Sequence, residues 1–330
     1  MPTCSRVPRP AVTVVTPTFD AARFVGRCVE SVLAQSSQDW ELIVADDGSR
    51  DGTPEVVERY RDPRIRVIRL PHRGLGALAD TYNLAFRAGT GALVAILEGD
   101  DAWPPDKLAV QVRGFDDPSV VLSWGRGLWI DEEDRPLRLR RELHRDRVLD
   151  PRRAFRRLAK GSFLVPSVTV MLRRAALLRA GGFCQDGSRH FVDLPTWLAV
   201  LAATGGRVRY HDHVLGHWRR HPKQASCLHG VAMRTEGWRV VRAIAAGLDP
   251  DARVRAGADD GLARANRARW AVSCARKALD RGRTARARRL YAAALAIDLA
   301  AAAGKGLPGL ASSALGVNLP AAWRRLRGRG

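Results

Sequence analysis

The most constraining feature of this 330-residue sequence is the regular alternation of short apolar runs and amphipathic stretches over its first hundred residues. Short β-branched apolar runs predict buried strands, and apolar side chains that recur at helical spacing predict amphipathic helices. The predicted strands cover residues 11–16, 40–45, 65–70 and 92–97. The predicted helices lie at residues 24–33, 53–60 and within 74–88. This alternation predicts an α/β fold with a mainly parallel sheet flanked by crossover helices.

The character of the sequence changes twice after residue 110. Residues 115–159 are rich in Arg and less periodic, although short strands are expected further on. Beyond about residue 230, strand patterns vanish, and residues 270–279 and 284–296 predict a helical hairpin. We therefore expect a first domain over residues 1–229 and a C-terminal helical extension over residues 230–330.

Acidic residues follow two of the predicted strands directly. Asp46 and Asp47 come after the second strand, and Glu98, Asp100 and Asp101 come after the fourth. The carboxyl ends of parallel strands are where open α/β sheets bind ligands. Magnesium and manganese prefer carboxylate oxygens, and such an ion stabilises the charge on a leaving diphosphate. The pattern favours a metal-assisted diphosphate site at this edge of the sheet.

The composition of the chain constrains its expected partners and cellular compartment. The net charge of +21 favours anionic partners, which include nucleotide diphosphates, lipid phosphates and nucleic acid. Five scattered cysteines argue against a disulfide framework or a zinc ribbon. Neither a signal peptide nor a run of about 18 apolar residues is expected, so we predict a cytoplasmic protein. The basic residues 323–327 suggest peripheral contact with the inner face of the cytoplasmic membrane.

Three ordered segments resemble the family 2 glycosyltransferases, which have the GT-A fold. They are residues 12–19, 40–53 and 94–108, and the similarity resumes at residues 168–183 and 215–226. The resemblance implies a hexosyl-type glycosyltransferase that uses a nucleotide-sugar donor, most simply a UDP-sugar, with Mn²⁺ or Mg²⁺ as cofactor. It also implies a glycan or lipid-linked acceptor and a role in the synthesis of a surface polysaccharide or glycolipid.

The resemblance assigns the donor site to the first two segments and to one helix. Pro17, Thr18 and Phe19 match the segment that cradles the nucleotide base. Asp47, together with Asp46, matches the acid that binds the base or the ribose. Asn83 matches a helix position between the second and third motifs, and we assign it to the nucleotide-sugar site.

The metal site is assigned to the third and last segments. Asp100 matches the metal-ligating acid, with Asp101 beside it, and His221 matches a histidine that approaches the metal or the diphosphate. Glu98 stands where the family usually has Asp, and we assign it to nucleotide-sugar binding.

The general base of the family is an Asp shortly before a helix that contains Trp. Asp193, four residues before Trp197, has this position, although Val192 stands where the family commonly has Glu. A single carboxylate that deprotonates the acceptor hydroxyl implies direct displacement with inversion. The alternative role of Asp193 is to cap the N-terminus of the following helix, and the two roles are compatible.

Several other interpretations are open at this point. Residues 74–79 match the loose dinucleotide fingerprint, but they follow the third strand, which argues against a dehydrogenase. A catalytically degenerate nucleotide-sugar-binding protein would explain Glu98 and Val192. A basic nucleic-acid-binding protein would use the net charge, but the charges are not interleaved with aromatic residues, and no nucleic acid is expected. We expect His211 and His213 to be solvated on an edge strand rather than to bind zinc.

Overall fold

A computed structural model describes most of the chain, and the remaining residues are not considered. The described residues are 10–140, 145–160, 166–256, 258, 260–299, 302, 310 and 313. The strands are β1 (Val12–Thr18), β2 (Trp40–Asp46), β3 (Ile65–Arg69), β4 (Leu93–Ile96), β5 (Val120–Ile130), β6 (Pro136–Arg140), β7 (Arg147–Leu149), β8 (Met171–Arg173) and β9 (Arg207–Arg219).

The helices cover the faces of the sheet and most of the C-terminal third of the chain. They are α1 (Ala22–Leu33), α2 (Thr53–Glu58), α3 (Leu78–Ala88), α4 (Lys107–Arg113), α5 (Pro151–Ala159), α6 (Arg174–Arg179), α7 (Asp193–Thr204), α8 (Ala225–Leu228), α9 (Gly230–Gly247), α10 (Pro250–Ala256), α11 (Asp260–Asp280) and α12 (Thr284–Ile297). Among the described helices, none has the length and apolar content needed to cross a membrane.

The strands of the described residues form one sheet in the order β3-β2-β1-β4-β8-β5-β9-β7, with β6 paired to β5. The four predicted strands β1 to β4 are parallel, and β5 and β9 are also parallel to each other. The short strand β8 runs antiparallel between β4 and β5. The predicted α/β architecture with a central parallel sheet is therefore confirmed, with β8 as the join between its two parallel groups.

The central strands are buried along their whole length because helices cover both faces. Every residue of β1, β2 and β4 is buried. On one face the core includes side chains from α1, α2 and α4. On the other face it includes side chains from α3, α5, α7 and α9. The sheet thus holds the loops at the ends of β1, β2 and β4 on a rigid base.

The helical extension is only partly separate from the sheet. Val240, Val241 and Ile244 of α9 belong to the same core as the sheet, whereas α11 and α12 share a smaller cluster of their own. The predicted boundary at residues 229 and 230 stays a prediction. Residues 323–327, for which we predicted membrane contact, lie outside the described residues.

The expectation that His211 is solvated on an edge strand was wrong. This region forms one long strand, β9, which lies between β5 and the edge strand β7. His211 is buried, with Nε2 3.1 Å from Ser123 Oγ, and burial lowers its pKa to about 4. His213 is partly buried, with Nε2 2.7 Å from Asp106 Oδ2. The register shift between Gly125 and Arg126 disturbs the simple alternation on which the expectation rested.

Candidate active site

Residues 98–101, which we call the acidic loop, follow β4 and pack tightly against the end of β1. The Asp101 amide donates to the Glu98 carbonyl at 3.0 Å, and the Gly99 amide donates to the Pro17 carbonyl at 3.1 Å. A Cβ atom added to Gly99 would lie 2.4 Å from the methyl carbon of Thr18. Glycine is therefore required for the two loops to approach this closely, and their acids are fixed beside the predicted base-binding segment.

Arg219, the last residue of β9, fixes the acidic loop from the other side. Its side chain is 1% exposed. The guanidinium donates to the carbonyls of Asp100 and Asp131 and pairs with Asp134 at 2.6 Å. The Arg219 amide also donates to Asp101 Oδ1 at 2.8 Å. A buried arginine whose donors are satisfied in this way is a stable anchor for the loop.

Asp100 and His221 face each other at the mouth of the site. Nε2 of His221 lies 3.0 Å from Asp100 Oδ2, and the imidazole packs on Phe24 of α1 with ring centroids 4.9 Å apart. Asp101 is more deeply buried, and burial followed by the charges of Asp100 and Glu98 raises its pKa well above the usual value. Asp100 and His221 are thus the more accessible members of the predicted metal set.

The side chains at this site suit a metal ion whose remaining ligands are supplied by a bound diphosphate. Within the described part of the chain, no group of three or more His, Cys, Asp or Glu side chains is arranged to hold a metal ion. Magnesium in phosphate-handling sites is commonly bound through one or two carboxylates together with substrate phosphate oxygens. The carboxylate of Asp100 and the imidazole of His221 fit this type of site, in which the substrate supplies the other ligands.

Tyr82 of α3 brings the acidic loop and the predicted base together. Its hydroxyl donates to Glu98 Oε1 at 2.7 Å. Burial raises the pKa of the phenol well above its usual value, and the charges of Glu98, Asp193 and Asp100 raise it further. The charge of Asp193 therefore acts on the same phenol that donates to Glu98 of the acidic loop.

Burial sets the protonation behaviour of two of these acids. It raises the pKa of Glu98 to about 7, with a further contribution from the Asp100 charge, against the hydrogen bond from Tyr82. It also raises the pKa of Asp193 to about 6. The capping role proposed for Asp193 is not observed. The helix α7 begins at Asp193 itself, and the carboxylate accepts from the adjacent Leu194 amide at 2.7 Å.

Asp46 and Asp47 shape the loops at the end of β2. Asp46 accepts hydrogen bonds from the Thr18 hydroxyl at 3.0 Å and from the Ser49 amide at 2.9 Å. Asp47 accepts from the amides of Arg73 and Gly74 at 3.0 and 2.8 Å. Both carboxylates are buried, so much of their hydrogen-bonding capacity holds the walls of the predicted nucleotide site.

An exposed aromatic pair lies beside these acids. The Phe19 ring, 47% exposed, stacks on His72 with ring centroids 4.2 Å apart. Pro17 and Thr18 are buried in β1 and carry the Phe19 ring to this position. Aromatic faces of this kind are suited to stacking with a planar base.

Asn83 lies behind the site rather than at its surface. Its amide nitrogen donates to the Phe183 carbonyl at 2.8 Å, and its oxygen accepts from the Phe183 amide at 2.9 Å. A Cβ atom on Gly182, which has a φ of +96°, would lie 2.4 Å from the Asn83 oxygen. Direct contact of Asn83 with a nucleotide sugar stays a prediction, and its observed contacts hold the chain that leads to Asp193.

Residues 185–192, which we call the acceptor-side loop, precede Asp193 and are bound on two sides. The Gln185 side chain donates to the Leu75 carbonyl and accepts from the Ala79 amide, at 2.9 and 2.8 Å. Glu236 of α9 accepts from the Ser188 hydroxyl at 3.0 Å and lies 2.8 Å from His190 Nδ1. The loop therefore connects the predicted donor side of the site to the helical extension.

Sequence reasoning missed four residues that build the site. They are Phe24, Tyr82, Arg219 and Glu236. Arg219 stood inside a recognised segment without a role, and Tyr82 precedes an assigned Asn. Glu236 is an isolated acid in a basic helix, which was a usable signal, whereas Phe24 looked like an ordinary core residue of α1.

Comparison with known proteins agrees with this geometry. The model of the family described as glycosyl transferase family 2 matches residues 13–178, half of the chain. A putative teichuronic acid biosynthesis glycosyltransferase, TuaG of Bacillus subtilis (strain 168), is 31% identical over 195 residues. This match covers 58% of the present chain and 73% of TuaG. Some other curated relatives are matched over about a third of their length.

Two solved structures are similar over most of the chain. S. aureus TarS 1–349 in complex with UDP-GlcNAc has a TM-score of 0.63 and 15% identity, with 93% of each chain covered. The mannosyltransferase PcManGT from Pyrobaculum calidifontis in complex with GDP-Man and Mn²⁺ has a TM-score of 0.60 and 23% identity. That match covers 98% of the present chain and 85% of PcManGT. These likenesses show the fold, and the family match adds the sequence evidence. The chain belongs to glycosyl transferase family 2 and has the GT-A type of fold.

Proposed function

We propose that this protein is an inverting, metal-dependent glycosyltransferase that moves a sugar from a nucleoside-diphosphate donor to an acceptor hydroxyl. The observation that carries the proposal is the contact of Asp100 with His221, beside the Tyr82–Glu98 hydrogen bond, in the loop that follows the parallel strand β4. The acceptor is a glycan or a lipid-linked glycan of a surface polysaccharide or glycolipid. The name of TuaG supports this assignment.

The proposed donor is a UDP-sugar. The TarS complex with UDP-GlcNAc supports this choice, while the PcManGT complex shows that GDP-sugars are also bound on this fold. The Phe19–His72 pair would stack on the base, and Asp46 and Asp47 would hold the surrounding loops in place. A divalent ion held by Asp100 and His221 would supply positive charge at the leaving diphosphate.

In the proposed reaction, the Asp193 carboxylate accepts the proton of the acceptor hydroxyl. The hydroxyl oxygen forms a bond to the anomeric carbon as the bond from that carbon to the diphosphate breaks. The bonding electrons leave with the nucleoside diphosphate, and the configuration at the anomeric carbon is inverted. A pKa of about 6 leaves Asp193 mostly ionised at neutral pH and still basic enough to accept the proton.

Thermal unfolding of the full-length protein with a panel of nucleotide sugars tests the proposal. We expect a UDP-sugar to raise the melting temperature in the presence of Mn²⁺, and to do so less when the metal is chelated. GDP- and dTDP-sugars serve as matched comparisons. Donor binding without transfer or donor hydrolysis would support a degenerate sugar-nucleotide-binding protein. The absence of any nucleotide-sugar binding would contradict both functions.

A further inference from the structure

A second candidate site lies on the helical extension, between α9 and the acceptor-side loop. It is a cavity of about 440 Å³ lined by one residue of the acceptor-side loop and by one face of α9. The lining residues are Gly187, Trp238, Arg239, Arg242, Ala243 and Ala246. We call it the Trp238 pocket.

Three guanidinium groups converge on the indole of this pocket. The Cζ atoms of Arg239, Arg242 and Arg267 lie 5.9, 6.0 and 5.8 Å from the ring of Trp238. Arg267 comes from α11, so two helices contribute to the cluster. Trp238 is partly buried, whereas the three arginines are exposed. The indole gives each cation a modest attraction, but it does not neutralise their charge.

No carboxylate balances this cluster among the described residues, since none of the three arginines is ion-paired there. Glu236 is on the same helix, but its oxygens are engaged by Ser188, Arg189 and His190 of the acceptor-side loop. The charge of +21 on the whole chain adds to the local repulsion. An anion that bound in the pocket would relieve this repulsion.

The walls of the pocket are held in position by close main-chain packing. Gly187 has a φ of +78°, and a Cβ atom at that residue would lie 2.6 Å from the Val240 amide nitrogen. The acceptor-side loop therefore rests directly on α9. The hydrogen bonds to Glu236 fix the same contact, so the main chain on both sides of the pocket is held in place.

We propose that the Trp238 pocket binds phosphate groups. The planar guanidinium groups of arginine match phosphate oxygens and remain charged at any physiological pH. A partly buried tryptophan beside arginines is also suited to the headgroup region of a bilayer. The phosphate is therefore carried either by a lipid headgroup or by a soluble phosphate or diphosphate. Both sources share the same chemistry, and they are separated by the experiment.

The test uses the full-length protein and two probes in the presence of a chelator, which suppresses metal-dependent binding at the acidic loop. One probe is inorganic pyrophosphate, measured by calorimetry. The other is vesicles of phosphatidylcholine with or without phosphatidylglycerol, measured by co-sedimentation. The variant Arg239→Gln/Arg242→Gln removes two charges from the pocket. The control Arg288→Gln/Arg289→Gln removes two charges from exposed positions on α12.

We expect at least one probe to bind, and the pocket variant to weaken this binding by about tenfold or more. The control should change it by less than about twofold. Binding of anionic vesicles alone identifies a headgroup site, and binding of pyrophosphate identifies a site for soluble phosphate. The proposal is overturned if neither probe binds or if both double variants weaken binding equally. Nucleotide binding with Mn²⁺, measured separately, keeps this result independent of the proposed transferase activity.

Discussion

Asp193, the proposed general base, is partly buried in surroundings that disfavour its charged form. Burial raises its pKa to about 6, because ionisation there loses hydration that the main-chain hydrogen bonds only partly replace. The raised pKa suits the proposed role as a base, and it also lowers the free energy of unfolding when the carboxyl group ionises. Both consequences are measurable.

The first prediction concerns the pH dependence of transfer. Asp193 accepts a proton only as a carboxylate, so activity should rise with pH through the pKa of about 6. At saturating donor, we expect kcat/KM for the acceptor to rise about tenfold between pH 5 and pH 7 and then to level off. Initial rates of transfer measure this profile, with donor binding followed over the same range as the control. A flat profile down to pH 5 in a folded enzyme would count against Asp193 as the base.

A second prediction concerns Asp100. The change Asp100→Asn removes the charge next to His221 but retains the main-chain carbonyl that accepts from Arg219. We expect metal-dependent transfer to fall by about a hundredfold or more, with little change in melting temperature. Transfer assays with and without Mn²⁺ measure the loss, and Asp106→Asn is a matched control at a partly exposed acid. Full activity in Asp100→Asn would refute the site assignment.

At the scale of elements, the acceptor-side loop is the least expected part of the site. It connects Leu75 and Ala79, next to the predicted donor side, with Glu236 of α9. The helix α9 therefore holds the segment that leads to Asp193. We assign Glu236 as a positioning residue, since it acts through this loop.

The third prediction tests that role of Glu236. Glu236→Ala removes the acceptor of the Ser188, Arg189 and His190 hydrogen bonds. We expect kcat to fall about tenfold, with donor affinity changed by less than about twofold. A looser loop also admits water, which would move the acidic limb of the Asp193 pH profile to lower pH.

Two further variants separate positioning from simple destabilisation. Glu236→Gln retains one oxygen acceptor and should recover part of the activity. Asp251→Ala, at an exposed acid of α10, should behave as wild type. If Glu236→Ala lowers the amount of active enzyme without shifting the acidic limb of the pH profile, the role of Glu236 is structural only.

The parallel strands β1, β2 and β4 were predictable because they are buried on both faces. Mainly apolar runs mark them, and the acids at the ends of β2 and β4 were assigned correctly to strand ends. The Arg-rich strands β6 and β7 have no such run. The bulged pairing of β9 was also invisible, since it depends on partners in β5 about ninety residues earlier. For the same reason, the contacts of Tyr82 and Arg219 left no local pattern.

At the scale of the whole molecule, the buried acids of the candidate site lower the free energy of unfolding at neutral pH. Asp101, Glu98 and Asp193 are acids whose pKa values are raised by burial. In each case the folded state holds the proton more tightly than the unfolded chain does. Their contribution to the free energy of unfolding is therefore fully present below about pH 4 and is lost as pH rises through the folded-state pKa.

The fourth prediction follows for Asp193→Asn, which stays neutral at every pH. A shift from 3.8 to about 6 corresponds to about 3 kcal/mol at most. We expect the variant to be about 1–3 kcal/mol more stable than wild type at pH 7.5, with the difference vanishing near pH 4. Denaturant unfolding without donor or metal measures this difference. A gap that does not change with pH would show that Asp193 ionises normally in the folded protein.

The short strand β8 has a consequence for how the enzyme loses activity on heating. Its three residues pair with β4 on one side, and two of them pair with β5 on the other, so it joins the two parallel groups of the sheet. The acidic loop leaves β4, whereas its anchor Arg219 ends β9, beyond this join. Opening of the join would pull the loop away from its anchor while most helices stay folded. We therefore expect activity to be lost at a lower temperature than helical structure. The strength of the β8 pairing should set the temperature at which the enzyme is inactivated.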